Sequence, residues 1–196
     1  METLKILKKK HSSFGIDQTN LKEQKIRTRR LAAIMFTDIV GYTDMIGDDE
    51  AKALRILEEN RRIQRASIER HGGKWIKEMG DGILSSFNTA AEAIRSALDI
   101  QQDVQKISGL RLYIGIHFSE VVFLGDDVFG LGVNIASRIQ GLALPGRIWI
   151  SESAANTANN KKEFHLKFVG KLNLKNVTEP VTIYETNGVP LQETGS

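Results

Sequence analysis

The chain has 196 residues, 41% of them apolar, which is enough to fill one hydrophobic core and fits a single soluble domain with a short appendage. Its net charge of +3 is unevenly placed: residues 1–30 hold nine Lys or Arg against three Asp or Glu, leaving −3 on the remainder and excluding a basic nucleic-acid face there. With no cysteine, and no apolar run approaching the roughly 18 residues of a membrane span or forming a secretory signal, disulfides and thiol chemistry are excluded and the cytoplasm is the expected compartment.

Residues 1–28 read as a basic linker or arm, within which LKEQKIRTRR suits a short charged helix; an upstream regulatory or sensor module would attach here. The domain is expected over 29–190, with 191–196 as a tail. LAAIMF, from Leu31, is short, continuously apolar and followed at once by Asp38 and a polar turn, which predicts a buried strand. From Glu50 to Arg70, Ala51, Leu54, Leu57, Ile63 and Ala66 recur at near-helical spacing, and Asp48-Asp49-Glu50 suits the helix N-terminus. His71-Gly72-Gly73 stops that helix. KWIKEM and ILSSF then flank Asp81-Gly82, a hairpin signal. TAAEAIRSALDIQQDVQKI predicts a helix, LRLYIGIHFSEVVFL a long strand or strand pair, GVNIASRIQGLA a third helix and RIWIS a strand. A short helix near SAANTANN and strands in FHLKFVGKLNL and VTIYET, about the turn Asn176 to Pro180, complete the chain. The order predicts an α+β fold: a ferredoxin-like βαββαβ core with additional C-terminal α/β elements, helices packed on a mainly antiparallel sheet.

Asp38 stands where a buried strand meets the turn Ile39-Val40-Gly41-Tyr42-Thr43, whose backbone N–H groups can meet phosphate oxygens and whose glycine permits close approach. Asp81 occupies the tip of the next hairpin, which a βαββ order lays beside the first strand. Two carboxylates so placed repel each other unless a hard divalent cation joins them to phosphate. Lys77 shares strand parity with Asp81, and Asn134 and Arg138, spaced i, i+4, project from one face of a helix, the arginine suited to phosphate by its fork of donors. Each feature alone also fits a structural role. The four histidines, His11, His71, His117 and His165, lack metal-ligand spacing and read as ordinary surface or core residues.

Taken together, FTDIVGYT, KEMGDGILSSF and DDVFGLGVNIASR resemble the signature blocks of the class III adenylyl and guanylyl cyclases, a resemblance that runs from about Leu31 to Gly188 and includes LKNVTEPVTIYE. It implies two divalent cations, Mg²⁺ or Mn²⁺, held by Asp38, Ile39 and Asp81, and phosphates against Ile39, Val40, Gly41, Tyr42 and Thr43. It implies a base-reading pair at Lys77 and Asp127, the lysine–aspartate combination of adenylyl cyclases. A lysine donates to adenine N1, an acceptor, and an aspartate accepts from the exocyclic amino group, whereas guanine reverses both edges. The ribose-positioning asparagine falls on Asn134, the transition-state arginine on Arg138, and a phosphate-binding lysine on Lys175, with Lys171 as the alternative. The resemblance further implies ATP as substrate, cyclic AMP as product, and a head-to-tail homodimer whose metal aspartates and base, ribose and arginine residues come from different subunits.

Overall fold

The computed structural model describes residues 27–158 and 163–186. They form β1 (Arg27–Ile39), α1 (Tyr42–Asp48), α2 (Glu50–Arg70), β2 (Lys74–Met79), β3 (Gly82–Phe87), α3 (Ala90–Val104) and β4 (Leu112–Leu124). The second part adds β5 (Asp127–Phe129), α4 (Leu131–Leu142), β6 (Ile148–Ser151), α5 (Glu152–Thr157), β7 (Lys167–Leu172) and β8 (Val181–Thr186). The sheet runs β2-β3-β1-β4-β6-β8-β7, with β5 paired to β4. Only β4 and β6 pair in parallel among these neighbours. The four-strand order β2-β3-β1-β4, with α2 and α3 as the crossovers, is the ferredoxin-like core the element order predicted.

From residue 32 to residue 36 the central strand β1 is apolar without interruption because both its faces are covered there. Ala33, Met35 and Ile39 pack with Ala53, Ile56, Leu57, Ile63 and Ile68 of α2 and Ala93, Ile94, Ala97 and Ile100 of α3. Ala32, Ile34 and Phe36 face the other way, against Leu84, Val121, Phe123, Val128 and Ala136 of α4. Burying a side chain the size of Ile34 or Met35 stabilises the fold by about 1.5–3 kcal/mol. The helices start where local chemistry permits: Asp49 accepts the Lys52 N–H at 2.9 Å, and Thr89 and Glu92 form a reciprocal capping box at α3.

Four expectations are corrected. Arg27–Arg30 belong to β1, pairing with Leu124 through Val121, so this part of LKEQKIRTRR is strand and not helix; residues 21–26, like the rest of the basic arm and the 191–196 tail, lie outside the described residues. The polar run is extended because the long β4 supplies a partner for it. A seven-residue helix, α1, follows Gly41 where only a turn was foreseen. In α2 the inward face is Ala53, Ile56, Leu57, Asn60, Ile63, Gln64, Ser67 and Ile68, while Ala51, Leu54 and Ala66 point to solvent. Three polar residues on the buried face shift the apparent apolar stripe. Finally, the strand expected through FHLKFVGKLNL is confined to Lys167–Leu172. No helix among the described residues is long and apolar enough to cross a membrane.

Candidate active site

Adjacent strand residues project to opposite faces, so the parity that sends Thr37 towards α2 sends Asp38 to the face that carries α4. Thr37 pairs with Ile83 across β3, which brings Asp38 over Gly82 at the start of that strand. Its Oδ1 stands 3.1 Å from where a Cβ on residue 82 would be, a space left by glycine. Asp81, at the β2–β3 tip, is oriented by the backbone: its Oδ2 accepts the Ile39 N–H at 3.1 Å. Burial, the Asp81 charge and a hydrogen bond to Asp81 push the Asp38 carboxyl up to about 7. The structure therefore brings Asp38 and Asp81 together as a pair short of positive charge.

A hard cation fits such a pair. Among the described residues no cluster of three or more His, Cys, Asp or Glu side chains surrounds it, so further ligands would be oxygen atoms of the backbone, water and phosphate, as Mg²⁺ prefers. In the following turn the Val40 N–H bonds Arg111 O at 2.9 Å, so with Ile39 already on Asp81, two of the five amides foreseen as phosphate donors are occupied. Gly41 adopts φ +69°, a left-handed conformation that suits glycine, and starts α1. Tyr42 is buried beside it, its hydroxyl pushed up by burial and by Asp81. Thr43 is exposed.

Lys77 and Asp127 meet through a bend in the fold. The β4–β5 hairpin folds back over the sheet so that Lys77 Nζ donates to both Asp127 carboxylate oxygens at 2.8 Å and lies 5.8 Å from the Phe129 ring centre. A second contact, Lys74 Nζ to Asp126 Oδ1 at 2.8 Å, holds the hairpin tip to the same strand.

Helix α4 carries Asn134, which is exposed, and Arg138, whose Nη1 is buried without a hydrogen-bond partner. A buried guanidinium nitrogen left so costs free energy and marks a place for an anionic oxygen. Arg138 and Lys175 line one open cavity of about 480 Å³ with Ser137, Gly141, Leu142, Asn173 and Leu174. Lys171, exposed on β7, does not line it. Neither Asp38 nor Asp81 lines this cavity.

Sequence reasoning missed the residues around the carboxylates. Arg61 of α2 pairs with Glu78 of β2 at 2.6 Å, and both act electrostatically on Tyr42. Thr37, Gln64 and Asn60 form a buried hydrogen-bonded chain directly behind Asp38. The i, i+4 spacing of Asn60 and Gln64 is the only signal of that chain in the sequence.

On a ferredoxin-like core, paired carboxylates at the β1 and hairpin ends with an i, i+4 Asn and Arg on the opposing helix are the pattern of nucleotide cyclase domains. Residues 24–188 match the family described as the adenylate and guanylate cyclase catalytic domain, and the chain belongs to it. The adenylate cyclase of Anabaena cylindrica is 30% identical over 193 residues, covering 85% of this chain and 38% of that protein. That of Streptomyces coelicolor is 32% identical over 123 residues, covering 62% of this chain and 32% of its own. Across the curated relatives it matches first, the chain spans 28% to 38% of their length. Among solved structures, an adenylate/guanylate cyclase/hydrolase from Silicibacter pomeroyi superposes with a TM-score of 0.76 at 30% identity, over 82% of this chain and 98% of that one.

Proposed function

We propose that the chain converts ATP to 3′,5′-cyclic AMP and pyrophosphate at the interface of a homodimer in the cytoplasm, with two divalent cations, Mg²⁺ or Mn²⁺, held by Asp38, Asp81 and the Ile39 main chain. The observation that carries this reading is the approach of Asp38 to Asp81, two carboxylates that cannot both ionise cheaply without a cation. The bound cations supply Lewis acidity towards the ribose 3′-hydroxyl and the phosphates.

The chain's own residues do the rest. Lys77 donates to adenine N1 and Asp127 accepts from the exocyclic amino group, a polarity that suits ATP over GTP. Asn134 orients the ribose. Arg138 turns its unpartnered Nη1 to the charge building on the α-phosphate, a role whose loss costs about 2.7–4 kcal/mol in comparable sites. Lys175 and the turn Gly41-Tyr42-Thr43 receive the departing pyrophosphate. That the Arg138 cavity is lined by neither aspartate fits a site completed by a second copy of the chain, each copy giving what the other lacks.

The test is a cyclase assay with Mn²⁺ and either ATP or GTP over a dilution series of purified protein. Cyclic AMP from ATP, with specific activity rising with concentration, is expected. Cyclic GMP as the main product would overturn the Lys77 and Asp127 assignment, and full activity in a species shown to be monomeric would overturn the shared site.

A further inference from the structure

The end of β1 that presents Asp38 is fixed from behind by three polar side chains in the core. Thr37 Oγ1 donates to Gln64 Oε1 at 2.8 Å, and Gln64 Nε2 donates to Asn60 Oδ1 at 2.7 Å. Thr37 is 1% exposed, and Gln64 and Asn60 are 0% exposed. The chain then ends on an unmet donor, for Asn60 Nδ2 has no hydrogen-bond partner. Three amide and hydroxyl groups in an otherwise apolar α2–β1 contact, one of them unsatisfied, are costly when apolar side chains of similar shape would pack there without that cost.

What the chain does hold is direction. Thr37 immediately precedes Asp38, so a bond that fixes its side chain fixes the peptide leading into Asp38. On the other side, the Ile39 N–H is held by Asp81 and the Val40 N–H by Arg111 O. The backbone from residue 37 to residue 40 is thus tethered on both sides of the carboxylate, and only the Thr37 tether reaches into a helix. When both are ionised the two carboxylates repel each other, a load that these contacts and the pairing of residues 37–39 with β4 oppose.

We infer that Thr37, Gln64 and Asn60 are positioning residues that hold Asp38 against Asp81 for the divalent cations; this rests on the two-cation reading above. Outer partners that orient metal ligands are commonly worth 10–100-fold in metal affinity, and a tether acting through the backbone belongs at the lower end.

The experiment compares wild type, Thr37→Val, Thr37→Ser, and the double variant Asn60→Leu with Gln64→Leu, by calorimetric titration with Mn²⁺, by the Mn²⁺ concentration that half-activates the cyclase, and by thermal melting. Thr37→Val is expected to bind Mn²⁺ about tenfold more weakly and to need about tenfold more for half-activation. Thr37→Ser, which keeps the hydroxyl, is expected to stay within about twofold of wild type. The folded double variant is expected to melt no lower than wild type yet lose the same affinity, an outcome a purely structural role would not give. Unchanged Mn²⁺ binding and half-activation in folded Thr37→Val would overturn the inference, and that variant decides alone should the double variant not fold. A wild type that binds no Mn²⁺ while Asp38→Asn behaves identically would overturn the two-cation reading itself.

Discussion

Gly115 of β4 lies beneath α4 with no room for a side chain. A Cβ there would stand 2.2 Å from Gln140 N, 2.7 Å from Ala136 O and 2.7 Å from Gln140 Cα, against about 3.4 Å for ordinary contact. The obstructing atoms are helix backbone, so no rotamer change relieves them, and Gly115→Ala must push α4 outward by up to about 1 Å. Overpacking of that kind costs about 1–3 kcal/mol. For a domain of this size the melting temperature should fall by about 2–12 °C. The displaced stretch, Ala136 to Gln140, includes Arg138, and a misplacement of about 1 Å can lower turnover about 100-fold. Asp38 and Asp81 sit outside α4, on β1 and at the β2–β3 tip. Thermal melting, cyclase turnover and Mn²⁺ titration on the same preparation separate these effects: a lower melting temperature and kcat with unchanged Mn²⁺ affinity is expected. A variant that melts and turns over as wild type would refute the close packing of α4 on β4 as the device that places Arg138.

Asp38→Ala and Arg138→Ala chains, each inactive alone, should regain about a quarter to a half of wild-type activity when mixed, through one intact site per heterodimer; confirmed heterodimers without activity would exclude shared sites. Lys77→Glu with Asp127→Cys should shift the ratio of cyclic GMP to cyclic AMP upward by at least about tenfold, measured by product chromatography. Burial lowers the His117 imidazole to about 4, so between about 6.5 and 4 the unfolded chain binds a proton that the folded chain refuses. Stability from this group is full above pH 6.5 and falls on acidification, by about 3 kcal/mol in all. Asp38, pushed up to about 7, acts in the opposite sense over nearly the same window. The effect must therefore be read as the difference between urea melts of wild type and His117→Gln, which should diverge below pH 6.5; parallel curves down to pH 4 would show that His117 is not buried neutral.

Most of the scaffold was legible because its elements are punctuated by chemistry that acts locally. Asp49 before α2, Thr89 and Glu92 at α3, and Asp81-Gly82 between β2 and β3 mark their boundaries by caps and turn geometry. What escaped depended on distant partners. Arg27–Arg30 look like a solvated run until β4 pairs with them, and Leu54, half exposed, looks like core until Asn60 and Gln64 take the inward face of α2. At the site, the positions of Asp38 and Asp81 followed from the end of the apolar run, the Asp-Gly turn and the element order. Asp127 came only from the family resemblance, because its contact with Lys77 needs β5 to fold back across the sheet. The closeness of α4 to Gly115 leaves no periodic trace at all.

Lys77 and Asp127 already satisfy each other through two equal 2.8 Å contacts. In the proposed site, a purine arriving between them would compete with an existing bond, not with water alone. A ring edge that accepts beside the ammonium and donates beside the carboxylate exchanges one set of bonds for another at small net cost. The reversed edge would part the two charges and offer the ammonium no acceptor, while Asp127 kept the Val128 N–H at 2.8 Å, so selectivity at the proposed site would work by excluding the mismatched visitor more than by gripping the matched one.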